Sequence, residues 1–400
     1  MDLTSGAPYW PLKNGLLGAY PSLRADERCD ALVVGGGVTG ALIAYYLSQA
    51  GLQTIVLDKR EIGFGSTSAS TALLLYELDV DLVDLEKLIG RQNAFHAYRL
   101  CRDALGKIEN LTREIGDDCG FENKHSFYGA SRKRDVEKLR QEYSRRREAG
   151  LRVEFLTQKE LRKFSSFPHP AAILSHEAAQ IDAFRFTHKL LEKSVACGAK
   201  IYDRTRLETY EQQGDEFCAQ TNRGAQIRAR HVVFATGYEV QEQLRQKIVD
   251  LQSTYVALTE PLPNFDGWPN GCLLWETSRP YLYLRTTQDG RAMIGGEDTL
   301  FKSEILRDKL LPKKAQKLMT RFHELFPDIP ARLDFAWAGT FGQTRDGLAY
   351  IGQTEEFPGA HFALGFGGNG ITFSVIAAEI IRDTICGKVN PDAFLFRFGR

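Results

Sequence analysis

CDALVVGGGVTGALIAYYLSQAGLQTIVLD, Cys29 to Asp58, is the stretch whose reading decides the fold. The apolar run Ala31 to Val34 opens it, and Gly35-Gly36-Gly37-Val38-Thr39-Gly40 follows as a G-x-G-x-x-G. Ala41, Ala44 and Leu47 then recur at helical spacing up to Gly51, and a second β run, Thr54 to Leu57, ends on Asp58. This order of strand, glycine turn, helix, strand and acid has a physical logic. Gly35 permits the sharp turn, Gly37 lets the backbone approach a pyrophosphate, and Gly40 lets helix and strand pack closely. The helix N-terminus offers free N–H groups and partial positive charge to phosphates. Asp58, eighteen residues beyond Gly40, suits a ribose diol. The stretch predicts dinucleotide binding and fits NAD and FAD equally.

Outward from this unit, 400 residues at 43% hydrophobic content are enough for two or three core-bearing units. Lys+Arg and Asp+Glu are both 51, so no net charge argues for nucleic acid or a strongly anionic membrane surface as partner. The seven cysteines (29, 101, 119, 197, 218, 272 and 386) are scattered, and none forms a C-x-x-C. They read as reduced thiols, with neither a disulfide frame nor a metal site, and predict a cytoplasmic protein. The first residues lack a basic region followed by an apolar core, so no secretory signal is expected. No run of about 18 apolar residues exists, so no transmembrane segment is expected.

Residues 1–28, rich in Pro, Gly and aromatics, are expected to wrap the surface of the first domain. Beyond Asp58, the loop from Lys59 to Ala72 carries Gly65, Ser66, Thr67, Ser68, Ser70 and Thr71. It reads either as a polar connection or as a hydroxyl-lined path beside a large flat cofactor. The apolar spacing over 79–117 predicts long helices, and a charged helix is expected over Arg132–Ala149. Strands are expected at Ile173–Ile181, Lys200–Leu207, Glu216–Thr221 and Gln226–Arg230, and a helix from Asp182 to Cys197. His231 to Ala235 reads as a short buried strand entering Thr236-Gly237. A second β-rich stretch spans 254–300, with Tyr281, Tyr283 and Arg285 on one strand face, which is either a pocket wall or ordinary sheet surface. A helix over Ser303–Phe326 follows. Trp337 to Gly347 reads as a loop or turn. Gly365-Phe366-Gly367-Gly368-Asn369-Gly370 opens an apolar helix from Ile371 to Cys386, which reads as an anion-accepting helix N-terminus or as tight helix packing.

Taken in order, these pieces resemble the D-amino-acid oxidase / glycine oxidase / sarcosine oxidase superfamily of FAD-dependent oxidoreductases. The resemblance rests on Gly35 to Asp58, Gly65-Ser66-Thr67, Ala235-Thr236-Gly237, Thr344-Arg345-Asp346-Gly347 before Ile351-Gly352, and Gly367 to Gly370. It covers nearly the whole chain. Pro8-Tyr9-Trp10-Pro11 brings it nearest the γ-glutamylputrescine oxidase-like branch. The resemblance implies an α/β architecture, α+β overall: a Rossmann-like FAD-binding domain with a central parallel sheet, from 1–84, 150–240 and 330–400, and a mixed-sheet substrate domain from 85–149 and 241–329. It implies that Gly35, Gly37, Val38 and Thr39 hold the pyrophosphate, Asp58 the ribose, and Lys59 and Leu207 the adenine. Ser66, Thr67, Ser70 and Thr71 would follow the ribityl chain and ring, with Ala235, Thr236 and Gly237 beside the cofactor. Gly367, Gly368, Asn369, Gly370 and Ile371 would bring N–H groups to the flavin's pyrimidine edge.

Departures from the family pattern narrow the chemistry. Amino-acid-oxidising relatives carry an Arg where this chain has Phe341, and an aromatic ring cannot bind a carboxylate bidentately. No Cys lies between 273 and 385, so the FAD is expected to be non-covalent. The strand Arg291 to Ile294 lacks the Lys that sarcosine oxidases use with oxygen, which leaves O2 or another acceptor. The expected activity is oxidation of a C–N bond in a small primary or secondary amine, or an amino acid, by hydride transfer to flavin N5, with later hydrolysis of the imine. The substrate contacts expected are Glu77, Tyr283, Arg285 and Phe341, with Arg345 and Trp275 behind them; Glu77 or Asp79 alternatively caps the following helix. Two further readings stand beside this one. A dehydrogenase of a 2-hydroxy acid or polyol would need a base such as His231 or His361, and a flavin-holding subunit of a larger complex would need little chemistry of its own.

Overall fold

Gly35 has φ +109°, and a Cβ there would meet the Ala235 carbonyl oxygen at 2.4 Å. A Cβ on Gly40 would lie 1.8 Å from the Gly35 carbonyl oxygen. Only glycine lets the strand Glu27–Val34 turn this sharply into the helix Val38–Gln49 and lets that helix sit this close. The computed structural model describes residues 2–163, 165–242, 244 and 247–400.

The smaller of two mixed sheets is built around that turn. Its strands run in the order Tyr350–Thr354, Phe357–Leu364, Gln226–Phe234, Glu27–Val34, Thr54–Leu57, Lys200–Tyr202. From Phe357–Leu364 onward the pairings are parallel, whereas Tyr350–Thr354 runs antiparallel at the edge. Leu207–Gln213 and Glu216–Thr221 extend the sheet as an antiparallel ribbon off Gln226–Phe234. The helix Val38–Gln49 is apolar round most of its circumference, so it is buried between two other helices, Ala183–Ala196 and Gly370–Ile385. The Thr39 and Ser374 hydroxyls pair at 2.8 Å where the first and last of these meet. Asp182 caps its helix by accepting the Arg185 N–H at 3.0 Å, a contact of the kind that contributes about 1 kcal/mol.

The larger sheet runs Thr4–Gly6, Leu333–Gln343, Asp250–Thr259, Ala292–Leu300, Leu282–Thr286, Leu273–Glu276, Glu122–Gly129, Ala171–Gln180, Leu73–Leu75, with Val153–Thr157 also paired to Ala171–Gln180. The long helix Glu304–Leu325, capped by Ser303, packs on Asp250–Thr259, Ala292–Leu300 and Leu333–Gln343.

Several expectations change here. Trp337 to Gln343 is not a loop but most of an eleven-residue strand. Gly339 and Gly342 hide its β character, and pairing with Asp250–Thr259 from Asp250↔Gln343 to Thr259↔Leu333 imposes it. Residues 4–6 add an edge strand to the larger sheet, while Tyr9 and Trp10 are buried and the Trp10 indole N–H donates to the Ser70 carbonyl at 2.6 Å. The N-terminal stretch is thus part of the core, because its aromatics have apolar area to bury. The strand from Lys200 stops at Tyr202, and Leu207 begins the next one; Arg204 between them has φ +46°. Strands 73–75, 153–157, 171–180 and 333–343 belong to the larger sheet, and the helix Arg91–Ile115 packs on Gly370–Ile385. Among the described residues no helix is long and apolar enough to cross a membrane.

Candidate active site

Two cavities, of about 210 and 230 Å³, share Val38, Thr39, Ser66 and Thr67 as walls and so form one elongated site. The outer one lies against the glycine turn. Gly35, Gly37, Asp58 and Lys59 line it, together with Leu207, Ala235, Thr236 and Gly237. Asp58 accepts the Gly36 N–H at 2.7 Å and the Arg60 N–H at 2.8 Å. Burial raises its carboxyl above the usual range, and these two N–H groups oppose that rise. Lys59 does not offer a free charge, since its ammonium pairs with Glu239 at 2.7 Å. The Thr236 hydroxyl is inaccessible and has no partner in the protein.

At the junction of the cavities, the Thr67 hydroxyl accepts the Val38 N–H at 3.0 Å, while the Ser66 hydroxyl is buried without a partner. The inner cavity continues along Ser70 and Thr71 to Gly367, Gly368, Asn369, Gly370 and Ile371. The glycine turn is more committed internally than expected. The Gly367 N–H donates to the Gly342 carbonyl at 3.1 Å, Gly368 to the Asp79 carboxylate at 2.9 Å, and Asn369 to the Phe366 carbonyl at 3.2 Å. The Asn369 side chain donates to the carbonyls of Leu75 and Glu77, which ties the turn to the segment after the hydroxyl loop.

The far wall of the inner cavity is aromatic and acidic. Trp275, Tyr281, Tyr283 and Phe341 line it, together with Thr254, Asp79 and Asp298. The Tyr283 hydroxyl meets the Thr254 hydroxyl at 2.9 Å, Tyr281 donates to Asp79 at 3.1 Å, and Trp275 stacks on Tyr128 with ring centroids 3.8 Å apart. Burial pushes the Asp298 carboxyl up to about 7; the Thr254 hydroxyl opposes this and the Asp79 charge adds to it. Among the described residues no Lys, Arg or His lines this cavity.

Two expected substrate contacts, Arg285 and Arg345, line neither cavity, and a third, Glu77, is engaged by a buried cation. Glu77 lines the inner cavity, and its Oε1 lies 3.4 Å from Arg146 in a buried cluster, where Arg146 also binds Glu142 at 2.8 Å. Glu142 in turn accepts the N–H groups of Leu82 and Val83. Arg146 offsets the burial of Glu77, whose other oxygen, Oε2, is buried without a hydrogen-bond partner in the protein. The Arg285 guanidinium donates to the carbonyls of Thr71, Ala72 and Ile181, each at 2.9 Å, and lies over the Trp10 ring. Burial lowers it to about 10. It therefore braces the hydroxyl loop from behind and does not line the cavity. Arg345 is exposed on the turn beyond Gln343 and lines neither cavity, because the strand carries the chain past the site before that turn. His231 and His361 sit 6.1 Å apart in the smaller sheet and line neither cavity, so neither is placed as a base.

Sequence reasoning missed Asp298 altogether and weighed Asp79 only as a cap. The available signal was weak: an acidic pair, Glu297-Asp298, inside an otherwise apolar run after Gly295-Gly296.

A family model described as FAD dependent oxidoreductase, DAO, matches residues 30–384. The gamma-glutamylputrescine oxidoreductase of Escherichia coli strain K12 is 23% identical over 388 residues, spanning 94% of this chain and 88% of its own. Glycine oxidase of Bacillus subtilis strain 168 is 25% identical over 369 residues, spanning 91% and 95%. The crystal structure of glycine oxidase from Geobacillus kaustophilus superposes with a TM-score of 0.76 at 22% identity, over 94% of this chain and 99% of that one, and so shares its fold.

Proposed function

Because the chain belongs to the DAO family of FAD-dependent oxidoreductases, we propose that it oxidises a C–N bond in a small primary or secondary amine, using non-covalently held FAD. The site suits this cofactor on its own terms. Its two joined cavities are elongated, and two buried hydroxyls without protein partners, Ser66 and Thr236, face them. No cysteine lines either cavity among the described residues, which supports non-covalent binding. Gly35, Gly37, Val38 and Thr39 would hold the pyrophosphate, Asp58 the ribose, and Ser66, Thr67, Ser70 and Thr71 the ribityl chain and ring. Lys59, Leu207 and Ala235 to Gly237 would flank the adenosine end, and Gly367 to Ile371 the flavin ring. Bound FAD would supply the hydride acceptor for oxidation of the carbon beside the amine nitrogen, and water would hydrolyse the imine product.

The observation that carries the amine reading is the inner cavity's lining, which holds aromatic rings and carboxylates and no cationic side chain. Such a wall attracts an ammonium and repels a carboxylate. Trp275, Tyr281, Tyr283 and Phe341 supply π faces for a cation and exclude water from the reacting carbon. Phe341 in place of a guanidinium disfavours 2-amino and 2-hydroxy acids alike.

Anaerobic mixing of the purified holoenzyme with amines, amino acids and hydroxy acids tests this, read from flavin absorbance near roughly 450 nm. Bleaching by amines is the expected result. Bleaching only by hydroxy acids overturns the reading, and bleaching by none points to a flavin-holding subunit. Readmitting air then shows whether O2 is the electron acceptor.

A further inference from the structure

An amine at neutral pH is an ammonium, whose nitrogen has no lone pair to assist loss of hydride from the neighbouring carbon. Some group in the inner cavity must therefore take a proton. We infer that Asp298 is the carboxylate that holds the substrate ammonium and takes its proton, an assignment that rests on the amine reading above. The step breaks one N–H bond and forms one O–H bond, and the electron pair stays on nitrogen.

Position comes first. Asp298 lines the same cavity as Tyr281, Tyr283 and Phe341. Its Oδ1 is inaccessible and has no hydrogen-bond partner in the protein. A buried carboxylate oxygen without a partner is costly, and a cationic ligand would satisfy it. Two other acidic residues line the cavity, and both are engaged: Asp79 accepts from Tyr281 on one oxygen and from Gly368 on the other, and Glu77 is paired with the buried Arg146.

The charged surroundings agree. From the strand Leu282–Thr286 and the residues before it, Tyr281 and Tyr283 face Asp298 as neutral phenols, and Arg279 lies over the Tyr281 ring at 4.7 Å, donating to the carbonyls of Glu276 and Ser278. From the long helix, Lys314 bonds the Glu297 carbonyl at 2.7 Å and its carboxylate at 3.2 Å. From the segment after Leu73–Leu75 comes the Asp79 charge. Thr254, on the neighbouring strand, links the Tyr283 hydroxyl to this corner. Burial and Asp79 outweigh the Thr254 hydroxyl, Lys314 and Arg279, so the carboxyl stands at about 7, where a general base is most useful. The aromatic walls help by disfavouring the charged ammonium.

The test compares the holoenzyme with its Asp298→Asn variant at equal flavin content. The unreactive probe is tert-butylamine, which has no hydrogen on the carbon beside nitrogen; n-butylamine and 1,4-diaminobutane are the reactive ones. tert-Butylammonium is expected to perturb the flavin spectrum of the parent at pH 8, and to bind about tenfold or more weakly at pH 5.5, where the carboxylate is protonated. Asp298→Asn is expected to weaken binding at pH 8 to a similar degree. It should also slow anaerobic bleaching by the reactive amines about 10²-fold at pH 7, with recovery toward pH 10, where solution supplies the free amine. Probe binding that is unchanged both by pH and by the substitution, with equal bleaching profiles, overturns the role of Asp298 while leaving amine oxidation standing. If no amine bleaches the parent but the probe binds in an Asp298-dependent way, the oxidation reading falls and the cation site stands. If the probe does not bind either, both fall.

Discussion

The Asp79 carboxylate accepts the Gly368 N–H at 2.9 Å, and so joins the segment after the hydroxyl loop to the glycine turn that opens the last long helix. Its other oxygen accepts from Tyr281 at 3.1 Å. One side chain thereby fixes two walls of the inner cavity. Hydrogen bonds to a charged group are each worth about 1.5–3 kcal/mol. Asp79→Ala is expected to destabilise the holoenzyme by about 2–3 kcal/mol, read from urea unfolding, and to accelerate flavin loss on dilution. Unchanged stability and flavin retention would show that the joint carries no load.

At the opposite end of the site, Asp58 is held by the N–H groups of Gly36 and Arg60 and lines the outer cavity. Asp58→Ala is expected to weaken FAD binding by about 10- to 100-fold, the equivalent of one or two hydrogen bonds to a charged acceptor. Flavin content after gel filtration and titration of the apoprotein with FAD both measure it. Full flavin content at low free FAD would remove Asp58 from the cofactor site.

Glu77, Arg146 and Glu142 form a buried charge cluster, of which Glu77 also lines the inner cavity. Arg146→Met leaves two carboxylates without their cation and is expected to cost about 3–5 kcal/mol in urea unfolding. Glu77→Gln should be milder, and it should leave the rate and pH profile of amine-driven bleaching unchanged. A shifted profile would return Glu77 to the substrate site.

His188 and His361 are both buried, and burial lowers each to about 4; the charge of His231 adds to the effect on His361. In the unfolded chain a His titrates near about 6.5. Below that pH the unfolded state binds protons that the native state refuses until about pH 4, so stability falls as pH drops through this window. Between pH 7 and pH 5 each residue should account for about 2 kcal/mol of loss. His361→Gln is expected to lose about that much less than the parent over the same interval, measured by urea unfolding at the two pH values. Equal losses would contradict the buried neutral state.

Much of the fold was legible because its signals are local. The glycine turn, the helix Val38–Gln49, the Asp182 and Ser303 caps and most strands depend on residues a few positions apart. The strand Leu333–Gln343 was not legible, because its glycines mimic a loop and only its ten-position pairing with Asp250–Thr259 makes it extended. Every cofactor residue expected from the motifs does line one of the two cavities, because backbone turns and small side chains are placed by chain geometry.

By itself the sequence determined the nucleotide-binding unit and the family resemblance, since periodicity, glycine and capping act within one or two turns of chain. Only the tertiary structure decided which charges line the inner cavity. Glu77 and Asp79 are two residues apart in an irregular segment, where side-chain direction follows no period, and both line the cavity, yet one pairs with Arg146 and the other accepts from Tyr281 and Gly368. Arg285 was drawn to three carbonyls and Asp298 was left facing the cavity by strands far apart in the chain. Burial sets the cost of each charge, and burial exists only once distant segments have packed.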